Sequence, residues 1–191
     1  RPGDGHQALL TYLNQGGILI HLAPGTPFFY GRQAHARQWA LVPLGGGLNR
    51  AFGLAVSGPG TGTAGALFEV PDNSAEPLEF TRVAEGIWAE GLPAKTLFPC
   101  IADSRFRPVA PESQRLGSTL IPLYRLTRGG ADFGLAAAAV RIPSTSTDRP
   151  FAYAVYIAWP LAQARDAFGE SLLPQLPPAI LDAIAKDRAA R

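Results

Sequence analysis

DGHQALLTYLNQGGILIHLAPGTPFFY, residues 4–30, is the stretch on which the reading of the fold turns. Asp4 is suited to cap a helix, with Gln7 three residues on completing a capping-box-like pair. Ala8, Leu9, Tyr12 and Leu13 recur at helical spacing, Gly16-Gly17 supplies a C-terminal stop, and Ile18–Leu22 is a short apolar run rich in β-branched residues. That run reads as a strand buried on both faces. A helix feeding such a strand through a tight glycine turn is half of a βαβ unit, so the spacing predicts a partly parallel sheet with helices on both faces.

Helix, Gly16-Gly17, Ile18-Leu19-Ile20-His21-Leu22 and then Pro24-Gly25-Thr26-Pro27-Phe28 resemble a segment of class I glutamine amidotransferase-like domains. Within that group the non-amidotransferase members attached to sugar-processing enzymes are the nearest in pattern, such as ThuA-like proteins and the trimerisation domains of β-galactosidases. Arg50-Ala51-Phe52-Gly53-Leu54 is similar to the helix end that follows in them. The resemblance covers residues 4–55 and implies a flavodoxin-like α/β fold. It also implies a cysteine on a glycine-flanked elbow in catalytic members, and this chain has no such elbow. The expectation is therefore a flavodoxin-like, partly parallel sheet followed by an antiparallel β-meander. Residues 1–65 would form the C-terminal part of the α/β unit, and residues 66–191 a β-rich remainder with two short C-terminal helices.

The chain has 191 residues, 47% of them hydrophobic, enough for one substantial core. Its 18 prolines and 21 glycines cluster between apolar runs and predict many short elements joined by rigid loops. No apolar run approaches the roughly 20 residues of a membrane span. A water-soluble chain, or a soluble part of a larger one, is expected. Seventeen basic residues against 15 acidic ones exclude nucleic acid or an anionic membrane as the main partner. One cysteine, Cys100, excludes an intrachain disulfide and places the chain in no compartment. Arg1-Pro2-Gly3 runs at once into the helix, which reads as an excised segment whose first strands lie upstream. Such a sheet would carry an exposed edge.

Further along, Trp39–Leu44 reads as a short strand, Leu48–Leu54 as at most a helical turn, and Ser57–Thr63 as a loop. Gly58 and Gly60 begin a dinucleotide-like glycine spacing that Thr63 breaks. Residues 66–90 hold Glu69, Asp72, Glu76, Glu79, Glu85 and Glu90 against Arg82, over two alternating strands. The next block is basic, with Arg105, Arg107, Arg115, Arg125 and Arg128. The two blocks could meet across a sheet or an interface, or be two solvated faces. Ser118–Leu126, Phe133–Ile142 and Phe151–Trp159, joined by Thr127–Asp132 and Pro143–Pro150, read as a β-meander. A short helix is expected from Pro160 to Phe168. A last helix opens at Pro177-Pro178, with Ile180, Leu181 and Ile184 as its apolar stripe and Asp182, Lys186, Asp187 and Arg188 beside it.

Candidate sites are few. Cys100 lies among apolar residues without a glycine elbow and reads as a structural thiol. His6, His21 and His35 share no metal-ligand spacing, so neither metal nor cofactor is implied. His21 ends a buried strand where open α/β sheets place their ligand crevice, and two uses are open for it: ligand contact, or a hydrogen bond to a loop carbonyl. Arg32 and Arg37 follow the loop and could hold a carboxylate or a sugar hydroxyl there. Trp39, Trp88 and Trp159 could stack on sugars, but each adjoins apolar residues and reads as core. The leading expectation is a non-catalytic accessory or interaction domain of a larger, carbohydrate-processing protein. Its partners would be upstream or downstream domains and a sugar ligand. The alternatives are a hydrolase using His21 with a carboxylate and the Arg105/Arg107 pair, and an oligomerisation module.

Overall fold

The computed structural model describes residues 4–22, 30–35, 38–43, 68–69, 78–98, 105–106, 117–157, 164–166 and 168–191. Helix α1 (Asp4–Asn14) leads into β1 (Ile18–Leu22). Between them Gly16 N–H donates to Leu13 O and Gly17 N–H to Tyr12 O, both at 2.9 Å, the paired closure of a Schellman motif. Gly16 takes φ +82°, as expected for one of the two glycines.

Strands β2 (Tyr30–His35) and β3 (Gln38–Pro43) form one antiparallel hairpin, and β4 (Phe68–Glu69) pairs with β7 (Arg105–Phe106). The main sheet holds β1, β5 (Leu78–Arg82), β6 (Lys95–Phe98), β8 (Thr119–Arg128), β9 (Ala131–Pro143) and β10 (Phe151–Ile157). Its six strands run in the order β1-β10-β9-β8-β5-β6 and curl into a half-barrel. Helix α2 (Leu176–Ala189) closes the chain, with prolines at its first positions, where a missing N–H costs nothing.

The meander stands as expected: β8, β9 and β10 are antiparallel neighbours, and Gly129-Gly130 turns β8 into β9 with φ +55° and +81°. Alanines 136–139, 152 and 154 are buried, so the small-residue faces permit close packing on both sides of the sheet. Pro122 is accommodated because β5 pairs with β8 only from Tyr124 onward, which leaves the proline with β9 as its single neighbour. The acidic and basic blocks do meet. Strand β5, which carries Glu79, pairs with β8, which carries Arg125 and Arg128, and Glu69 is in register with Arg105.

The flavodoxin-like expectation is overturned. One pair in the main sheet is parallel, β1 with β10; every other pairing is antiparallel, and two α-helices are present among the described residues. The glycine stop and the strand at Ile18–Leu22 were read correctly, but β1 ends the described sheet and is only half-buried, with Leu22 exposed, instead of being buried on both faces; stop and strand are local features. Whether a strand joins a parallel doubly wound sheet depends on the partner it finds, and β1 found the last strand of a meander. The helix expected from Pro160 to Phe168 is also absent in its described part, where Arg165 makes an isolated antiparallel bridge with Ser171.

Candidate functional site

His21 lies on β1 opposite Tyr156 of β10, and the two rings stack with centroids 5.8 Å apart and planes at 15°. Its Nε2 is buried without a hydrogen-bond partner, and burial lowers the imidazole pKa, so the ring is neutral at pH 7. Arg32 stands in β2, in the separate β2–β3 hairpin, in register with Leu41. Arg37, Arg107, Cys100, Trp159 and the loop of residues 23–29 lie outside the described residues. The structure therefore places His21 in the main sheet and the backbone of Arg32 in the two-stranded one. Trp88 is core, as expected, 6.0 Å from the Tyr153 ring.

A neutral His21 with a buried, unbonded Nε2 has a measurable consequence. Its folded pKa is below the unfolded value of about 6.5, so as pH falls through 6.5 the unfolded chain takes up the proton first and stability declines. The variant His21→Phe should lose this dependence between pH 7.5 and 5, with little change at pH 7.5. Denaturant melts at both pH values would show it, and equal slopes for the two proteins would refute it.

Among the described residues a buried polar assembly forms around Asp187, which the sequence set beside the apolar stripe of the last helix. Thr119, Arg141, Tyr153 and Ile18 are successive cross-strand partners and so share one face of the sheet. Helix α2 lowers Asp187 onto that row. Arg141 Nη1 donates to both carboxylate oxygens at 3.0 and 2.9 Å, and the Tyr153 hydroxyl donates to Oδ2 at 2.6 Å. Arg141 also reaches Thr119 Oγ1 at 3.3 Å. Arg188 donates to Gly16 O at 2.5 Å and Phe151 O at 3.1 Å, with its guanidinium 5.3 Å from the Tyr153 ring centre. Burial pushes the Asp187 pKa up, but Tyr153 and Arg141 together outweigh it and hold the carboxyl below its usual range. Burial and the Asp187 bond drive the Tyr153 phenol well above its ordinary value. Asp187 was legible in one respect: it stands seven residues after Ile180, in line with the buried stripe of Leu176, Ile180, Ala183 and Ile184.

A second assembly, also missed from sequence, lies where α1 ends against the β9–β10 loop. Thr145 donates its N–H and its hydroxyl to Asn14 O at 2.8 and 2.9 Å, and Ser146 N–H reaches Ser144 Oγ at 3.0 Å. The Tyr12 hydroxyl accepts from Ile18 N–H at 3.1 Å and donates to Ile18 O at 3.2 Å. Tyr12, Gln15, Gly17, Ser146, Asp148 and Arg149 line a cleft of about 360 Å³ there, within the range of about 300–1,000 Å³ typical of ligand sites.

No group of three or more His, Cys, Asp or Glu side chains able to hold a metal is found among the described residues, and no described helix is long and apolar enough to cross a membrane. No family model, curated protein or solved structure matches the chain.

Proposed function

We propose that the chain is a non-catalytic accessory domain that binds or docks within a larger, carbohydrate-processing protein. The observation that carries this reading is the use made of the buried ionisable groups. A general acid or base works best with a pKa near the operating pH, whereas Asp187 is held below that range by Tyr153 and Arg141, and Tyr153 above it by burial and its bond to Asp187. His21 pairs with Tyr156, and Tyr156 stands three residues from Tyr153 on β10. Odd spacing along a strand puts the imidazole on the face opposite Asp187. These groups hold α2 to the sheet and fill the core, a structural use. The test is turnover of chromogenic glycosides, esters and amides by the 191-residue chain. No turnover above buffer is expected. Hydrolysis that copurifies with the chain and disappears in His21→Phe would overturn the reading in favour of a hydrolase.

A second reading, assembly between copies, is favoured by the edge of the sheet. Among the described residues strand β1 ends the sheet on one side, with neither charge nor proline in Ile18–Leu22, the devices that usually blunt an edge. Tyr153 N–H bonds Gly17 O, so by alternation Ile18, Ile20 and Leu22 turn their main-chain groups outward. Tyr12 occupies those of Ile18. Light scattering should show a dimer that Ile20→Pro dissociates if this edge assembles; a wild-type monomer at all concentrations would dismiss it.

A further inference from the structure

The cleft between α1 and the β9–β10 loop has the parts of a preorganised sugar site. A Cβ placed on Gly17 would stand 2.4–2.6 Å from three ring atoms of Tyr12, so the ring lies directly on the glycine backbone. Its hydroxyl is fixed at Ile18 by two hydrogen bonds. The ring is thus held on one side and at its tip, while 46% of the residue stays open to solvent. The facing wall is equally constrained. The Arg149 backbone packs on Gly16, where an added Cβ would meet Arg149 Cβ at 2.4 Å and Arg149 O at 2.7 Å. Ser144 Oγ bonds Arg149 O, and Thr145 is tied twice to Asn14 O.

What lines the cleft selects the ligand. Asp148 supplies acceptors, Arg149 donors, and Gln15 and Ser146 both. A simple anion would meet Asp148 and a simple cation would meet Arg149. A neutral polyhydroxylated ring satisfies both charges, and its C–H face matches an aromatic platform whose polar tip is already engaged.

We propose that this cleft binds a pyranose sugar, its apolar face on the Tyr12 ring and its hydroxyls bonded by Asp148, Arg149 and Gln15. The proposal deepens the accessory-domain reading and rests on it for its context. Gly17 is needed because any side chain there would displace the ring, and the turn that ends α1 brings both walls together.

The test is a titration of the ¹⁵N-labelled chain with methyl glucosides, galactosides and mannosides, with acetate and phosphate as anion controls. At least one glycoside should shift the amides of Gln15, Gly17 and Ser146. Asp148→Ala and Arg149→Ala, both exposed residues, should each weaken that binding about tenfold, the loss of one hydrogen bond to a charged group. They should leave the melting temperature unchanged. Tyr12→Ala should abolish binding, and Tyr12→Phe, which keeps the ring, should retain it. No shift from any glycoside, shifts confined to other residues, equal response to acetate, or binding that survives Tyr12→Ala would each overturn the site. The accessory-domain reading would survive all four outcomes, since turnover is what overturns it.

Discussion

Asp187→Ala is expected to lower the stability of the fold by about 3–5 kcal/mol, the usual result of breaking a buried ion pair from one side. Asp187 is 5% exposed, and its removal would leave the Arg141 guanidinium and the Tyr153 hydroxyl without their acceptor beneath α2. The loss should exceed that of Tyr153→Phe, which removes one donor and leaves the ion pair. Much of it reflects an uncompensated buried charge, so the double variant Asp187→Leu/Arg141→Met should recover a large part of the loss. The pH profile gives an independent check. The folded pKa of Asp187 lies below its unfolded value of about 3.9, so its contribution is present above that value and is lost as pH falls through the folded pKa. Tyr153 titrates above its unfolded value of about 10, so its contribution is present below pH 10 and is lost as pH rises toward the folded pKa. Urea melts across the acid range should therefore show a shallower acid limb for Asp187→Asn than for the wild type. Identical limbs, or an Asp187→Ala variant within about 0.5 kcal/mol of wild type, would mean that the α2 latch contributes nothing.

Gly16→Val is the second large effect, expected at about 2–5 kcal/mol, from roughly 1–2 for a left-handed backbone carrying a side chain and roughly 1–3 for overpacking. The two terms act together here. The φ of +82° disfavours any β-branched residue, and the space is already taken by the Cβ and carbonyl of Arg149. A carbonyl in a hydrogen-bonded loop cannot move aside as a flexible side-chain tip would. Gly130→Val, at φ +81° with open space around it, is the control that carries the backbone term without the clash. Thermal melts of both should rank Gly16→Val as the more damaging. Equal losses would remove the packing argument, and a Gly16→Val variant as stable as wild type would remove the helix stop as well.

The sequence by itself determined the elements whose physics is local. Helix α1, its stop at Gly16 and the strand Ile18–Leu22 follow from spacing, a left-handed glycine and β-branched residues within 19 residues of chain. The meander and its Gly129-Gly130 turn follow in the same way, since each strand pairs with its neighbour through a short connection. Tertiary structure alone decided which strand lies beside β1, because a parallel pair needs a distant partner and nothing in Ile18–Leu22 names Tyr153–Ile157. The same holds for both polar assemblies. Asp187 looked like one more charge on a solvated helix face because its complement, Arg141 with Tyr153, sits on two other elements. Tyr12 looked like one apolar residue in a helical stripe, because only the fold brings Ser146, Asp148 and Arg149 across from it and leaves its ring half open above Gly17.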